Sequence, residues 1–125
     1  MVDEAWQLMR YEDSANFLFS LAKRARKYQL GLTTITQDVE DFMGSKMGRA
    51  IVANSSMQLL LKQSSSAVDV LSGVFKLTEE EQKRLANFPV GQGLFFAGQS
   101  HGHIQIQASD TEYNLVHTNP SQNKQ

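Results

Sequence analysis

The sequence predicts an α/β fold in which parallel inner strands are flanked by helices and an antiparallel hairpin closes the C-terminal end. Three observations predict it. Two strand-length runs, Leu30 to Gln37 and Met57 to Gln63, each lie between stretches with apolar residues at helical spacing, the order that gives parallel strands joined by helices. From Gly91 to Ala108 the pattern changes to strand, turn, strand, as in a hairpin. The chain has 125 residues, 41% hydrophobic and 20% charged, which is the size and usage of one globular domain.

The opening stretch, Met1-Val2-Asp3-Glu4-Ala5-Trp6-Gln7-Leu8-Met9, places an Asp-Glu pair after an apolar residue and before a short helical segment. This resembles the end of a buried strand. Only Met1 and Val2 stand where about four or five apolar residues are expected, so the chain is expected to begin inside a domain. Glu12 to Gln29 then carries Phe17, Leu18, Leu21, Ala22, Ala25 and Tyr28 on one helical face, with Lys23, Arg24, Arg26 and Lys27 in its last turns. Cations there suit the helix dipole, and Gly31 is the expected stop. The run Leu30-Gly31-Leu32-Thr33-Thr34-Ile35-Thr36-Gln37 is rich in β-branched residues and reads as a strand.

Asp38 to Met43 and Met47 to Ala53 read as two short helices around a Gly44-Ser45-Lys46 turn. Met57 to Gln63 is an apolar strand closed by Ser64-Ser65-Ser66. Ser66 and Asp69 have the spacing of a capping box for a helix with Val68, Leu71 and Val74 or Phe75 on its apolar face, and Thr78 with Glu81 makes a clearer box for a helix to about Asn87. Gly93 to Ala97 and His103 to Gln107 form the hairpin, with Gly98 to Gly102 as its turn. Thr111 to Val116 is expected as a brief strand or turn. The domain is expected to span 1–117, and 118–125 to be a polar tail.

Composition narrows the function classes. Twelve Lys and Arg against thirteen Asp and Glu give a net charge of −1, which makes no overall electrostatic case for nucleic acid or anionic membrane. There is no cysteine, hence no disulfide framework and no thiolate metal site, and a reducing, cytoplasmic setting is expected. No apolar run approaches the roughly 18 to 20 residues that cross a bilayer, and the acidic start reads against a signal peptide.

Ligands in open α/β sheets sit at the carboxyl ends of the strands, and three polar strand endings, Asp3-Glu4, Gln37 and Gln63, fall there. An Asp-Glu pair can serve nucleoside triphosphate hydrolysis: Asp3 would hold Mg²⁺ through its water shell, and Glu4 would polarise the attacking water. Gln37 can bond the γ-phosphate or that water, because an amide both donates and accepts. Arg26 has the planar fork of an arginine finger. Each residue alone has a plainer reading: an acidic helix start for Asp3-Glu4, a polar loop opening for Gln37, surface charge for Arg26. No G-x-x-x-x-G-K-[ST] phosphate loop occurs in the chain, so the phosphate cradle is expected outside it. His101 and His103 lack a third ligand nearby in sequence and read as an exposed turn. There is no G-x-S-x-G serine, and the aromatics are not interleaved with cations as a single-strand platform requires.

Taken in order, Asp3-Glu4-Ala5-Trp6-Gln7-Leu8-Met9, Ala25-Arg26-Lys27-Tyr28, Thr34-Ile35-Thr36-Gln37-Asp38-Val39-Glu40-Asp41-Phe42 and Leu60-Leu61-Lys62-Gln63 resemble the C-terminal part of the VirB/TraC-type ATPase of conjugative type IV secretion systems. That family lies in the HerA–FtsK branch of RecA-like P-loop motors. The resemblance covers Val2 to about His117. It implies a partial RecA-like sheet, a hexameric ring, ATP and Mg²⁺ in the parent protein, and a role in powering conjugative DNA or protein transfer. By position, Asp3 and Glu4 match the Walker B acids, Gln37 the glutamine ending the neighbouring strand, Arg26 the site of a trans arginine finger, and Gln63 a further nucleotide-side amide. The resemblance also implies contact with other secretion components and a peripheral place at the inner face of the cell membrane without insertion. Without Walker A, the chain alone is expected to be inactive.

Two other readings fit the same residues. One is a non-catalytic docking module acting through the helices and the hairpin at Leu94 to Gln107. The other is a DNA-pumping motor of the same superfamily, to which the basic cluster Lys23 to Lys27 points.

Overall fold

The computed structural model describes residues 1–116, apart from the side chains of Arg26, Asn114 and Val116. His117 and the expected tail 118–125 lie outside the described residues. The elements are α1 (Trp6–Met9), α2 (Glu12–Ala25), a 3₁₀ turn (Arg26–Tyr28), α3 (Val39–Gly44), α4 (Lys46–Asn54), β1 (Met57–Leu61), α5 (Ser65–Phe75), α6 (Glu79–Asn87), β2 (Gln92–Ala97), β3 (Ser100–Gln105) and α7 (Asp110–Val116).

The three strands form one antiparallel sheet in the order β1-β2-β3. Leu59 faces Phe95 across the first pair, and Phe95 faces Gly102 across the second. The mixed α/β character holds, but the expected parallel inner strands are not formed among the described residues. Met57 to Leu61 is antiparallel to the hairpin, because side-chain alternation fixes which face a strand buries and not the direction of its neighbour. The run Leu30 to Gln37 is no strand: it makes one parallel bridge, Thr34 with Val2. A strand needs a partner ladder, and Val2 supplies a single rung.

Caps set most helix starts. The Asp38 carboxylate accepts from Asp41 N–H at 2.9 Å to open α3, and the Ser45 hydroxyl accepts from Gly48 N–H at 2.8 Å to open α4. For α5 the cap is Ser64, which accepts from Ala67 N–H; the expected Ser66 lies two residues too late in a run of three serines. The 3₁₀ turn that follows α2 closes at Gln29, which takes the left-handed conformation (φ 54°) while Leu30 N–H reaches back to the Ala25 carbonyl. Gly31, the expected stop, is not needed for it. The C-terminal segment expected as a strand or turn is helix α7, because Ser109 and Glu112 form a reciprocal cap: Ser109 N–H donates to the Glu112 carboxylate and Glu112 N–H to the Ser109 hydroxyl.

The core runs from Ala5 and Leu18 through Val39, Phe42 and Ile51 to Leu71, Leu85 and Phe96. Leu18, Ile51 and Leu85 are the largest fully buried side chains, each contributing about 1.5–3 kcal/mol by leaving water. Helices α3 and α4 meet tightly: a Cβ on Gly48 would stand 1.9 Å from the Phe42 carbonyl oxygen. Two residues expected on the buried face of α2, Phe17 and Tyr28, are each 68% exposed. The outer face of β1 is open too, through Met57, Leu59 and Leu61.

Helix α6 starts at the expected Thr78–Glu81 box and is tied to the sheet by it. Thr78 N–H and hydroxyl donate to Glu81 Oε2 at 2.8 and 2.9 Å, and His101 Nε2 lies 2.7 Å from Glu81 Oε1. The Thr78 N–H is the largest influence holding the Glu81 carboxyl below its ordinary range; burial, the next largest, opposes it, and the Thr78 hydroxyl and then His101 add to the lowering. A carboxyl depressed in the folded state stabilises at pH above its unfolded value, and that stability is lost as pH falls through the folded value. Melting temperature is therefore expected to decline on acidification below the usual glutamate range. Glu81→Gln should flatten that decline in a pH series of thermal melts; an unchanged slope would refute the assignment.

Candidate active site

The single parallel bridge organises the N-terminal acids. Val2 N–H donates to the Thr33 carbonyl, Ile35 N–H to the Val2 carbonyl and Ala5 N–H to the Ile35 carbonyl, each at 2.8 Å. Asp3 and Glu4 are thus pinned on both sides against 33–35, and Gln37 leaves that segment in the same direction, two residues beyond Ile35. Asp3, Glu4 and Gln37 come to one end of the bridge.

Glu4 has φ 50°, a left-handed setting that a residue with a Cβ adopts at a cost of about 1–3 kcal/mol. Its N–H donates to Asp3 Oδ1 at 2.9 Å, and the indole N–H of Trp6 donates to Glu4 Oε2 at 2.5 Å. The Trp6 ring is half-buried and packs against the core, with the Arg10 guanidinium 5.9 Å from its centroid. The Glu4 carboxylate is thereby held at a fixed place on the rim, half-buried, while Asp3 is exposed. Trp6 is the residue that sequence reasoning passed over; an aromatic N–H donor two residues after a carboxylate was the available signal.

Gln37 is exposed, and its side chain makes no hydrogen bond among the described residues. It stands between Thr36, whose hydroxyl donates to the Asp38 carbonyl, and the Asp38 cap of α3. Gln63 is not joined to this group by any hydrogen bond. It follows β1 in the antiparallel sheet, its N–H donating to the Leu85 carbonyl and its amide to the Leu61 carbonyl. Arg26 opens the 3₁₀ turn after α2; its side chain lies outside the described residues.

His101 lies on β3, not in the hairpin turn, which is the residues Gly98-Gln99, and His103 lies on the same strand, as expected for the hairpin. His101 stacks on Phe96 and His103 on Phe88, with centroids 4.8 and 5.0 Å apart. Both rings serve packing. No helix among the described residues is long and apolar enough to cross a membrane.

A family model of the TraG P-loop domain matches residues 1–119. The chain belongs to the TraG P-loop domain family. VirB4 of Thermoanaerobacter pseudethanolicus, a solved structure, is similar at 36% sequence identity and a TM-score of 0.82, with 89% of this TraG-family chain covered. The chain spans 31% of that VirB4 chain, under a third of its length. No curated protein matches. The resemblance read from the opening acids and the glutamine-ended run is thus shown.

Proposed function

We propose that this segment supplies the water-activating half of a type IV secretion ATPase like VirB4, the phosphate loop coming from elsewhere in the longer protein. The carrying observation is the parallel bridge that sets Asp3, Glu4 and Gln37 at one end, with Glu4 fixed by the Trp6 indole. In that longer protein the parallel RecA-like core would be completed by strands pairing beside the Val2–Thr34 bridge and along the open edge of β1.

The residues fit a magnesium nucleotide. Asp3 is exposed and commits one carboxylate oxygen to Glu4 N–H, leaving the other for the water shell that Mg²⁺ retains; the metal would supply charge neutralisation on the phosphates. Glu4 takes the proton of the attacking water, Gln37 orients that water or the γ-phosphate, Gln63 offers a further amide to the nucleotide, and Arg26 reaches the nucleotide of the neighbouring subunit in a hexameric ring. The ring works at the cytoplasmic side of the membrane with other secretion components, powering conjugative transfer of DNA or protein.

The test is ATP hydrolysis by the longer protein and by its Trp6→Phe variant. The variant removes the indole N–H, which frees the Glu4 carboxylate, and keeps an aromatic ring at position 6. A fall in kcat of about tenfold or more, the usual scale for losing a supporting hydrogen bond to a site ligand, is expected with KM for ATP little changed. Absence of hydrolysis in a protein with an intact phosphate loop would refute the function, and an unaltered kcat in Trp6→Phe would refute the positioning of Glu4.

A further inference from the structure

The run Thr33-Thr34-Ile35-Thr36 is β-branched throughout, which favours extended backbone, and α3 starts three residues after it. Both flanks of the connection are fixed. Ile35 N–H donates to the Val2 carbonyl and the Ile35 carbonyl accepts from Ala5 N–H, each at 2.8 Å. On the other side, Val39, Phe42 and Met43 of α3 are buried. Between them the chain bends at Gln37, and the backbone groups of Thr36 and Gln37 make no hydrogen bond among the described residues. Neither the bridge nor the helix holds that bend.

One side chain spans it. The Thr36 hydroxyl donates to the Asp38 carbonyl at 3.1 Å, in a half-buried bond. The same carbonyl accepts from Phe42 N–H at 3.2 Å, the bond that starts α3, and a carbonyl has lone pairs for both. The Asp38 carboxylate accepts from Asp41 N–H at 2.9 Å, which fixes that end further. Thr36 is thus clasped to a rigid helix start, and the residue enclosed by the clasp is Gln37, whose exposed amide has no hydrogen bond of its own among the described residues. An amide that orients a reacting group has to be aimed, since a misplacement of about 1 Å can cost about 10²-fold in rate. We propose, resting on the reading of Gln37 as the amide that orients the attacking water or the γ-phosphate, that Thr36 is its positioning residue. The hydroxyl closes the bend and so sets the direction in which the Gln37 side chain leaves the backbone.

The test is ATP hydrolysis by the longer protein. Thr36→Val keeps the β-branch, and with it the preference for extended backbone, and removes the hydroxyl. Its kcat should fall by about tenfold, the scale of losing a hydrogen bond that supports a site group, with KM for ATP little changed and a thermal melt that shows folded protein. Thr36→Ser retains the hydroxyl and should hydrolyse close to the wild-type rate. Gln37→Ala should be slow by itself, and adding Thr36→Val to it should slow it no further, because a residue that acts only through another has no effect once that other is gone. The same loss from Thr36→Val with and without Gln37 would mean a general structural role or a direct contact with nucleotide, and would overturn the proposal. So would a normal kcat in Thr36→Val, or a Thr36→Ser variant as slow as Thr36→Val. An undiminished kcat in Gln37→Ala is a different failure: it refutes the role given to Gln37, and the positioning of it along with that role.

Discussion

Glu4→Gln in the longer protein is expected to reduce ATP turnover by about 10²–10⁴-fold, the scale of a general base, while nucleotide binding persists. Glutamine keeps the length of the side chain and an oxygen that accepts from the Trp6 indole N–H, the bond that holds Glu4 at 2.5 Å. It leaves the bridge to 33–35 untouched, since that bridge is made by backbone groups of Val2 and Ala5. What it removes is the ability to take a proton from water. Steady-state hydrolysis and equilibrium binding of a fluorescent ATP analogue separate the two effects. Turnover at the normal rate in this variant would end the assignment of Glu4 as base.

Arg26→Ala is expected to cut turnover by about 10³-fold or more, the effect of withdrawing an arginine finger. Arg26 stands at the junction between α2 and the 3₁₀ turn, on a segment packed through α2 against α1 and α4. A finger working in trans makes a further demand. Subunits carrying Arg26→Ala retain Glu4, and subunits carrying Glu4→Gln retain Arg26. Mixing the two inactive proteins should restore hydrolysis at the hybrid interfaces where an intact Glu4 meets an intact Arg26. A mixture as inactive as its components would rule out the trans role.

The helical part of this fold was legible because its signals are local. Spacing placed α2, α3, α4 and α6 within a few residues, and the Thr78–Glu81 box marked the start of α6. The same kind of signal, a serine followed three residues later by a glutamate, was available at Ser109 and Glu112. The sheet was less legible, for a different reason. Strand direction and strand length depend on partners far along the chain, so Leu30 to Gln37 could read as a strand while having only Val2 to pair with. Phe17 and Tyr28 lie at the helical positions of a core face, but a periodic pattern cannot say whether the fold supplies anything to cover it.

The candidate site shows the same division. Asp3, Glu4 and Gln37 were picked out by residue type and order, and the backbone brings their segments to one end of a bridge. Gln63 came with them as a strand-end amide, but its strand, β1, pairs with the hairpin and not with the Val2–Thr34 bridge. Trp6 could not be assigned from sequence, because its role depends on the indole turning back to a carboxylate held in an unusual backbone setting.

That setting has a consequence for how position 4 would fare under different selections. Glycine occupies the left-handed region without strain, so folding stability by itself favours glycine there over the residue the chain carries. If Glu4 is the base proposed above, a lineage or laboratory population freed from the need for its carboxylate is expected to lose it early.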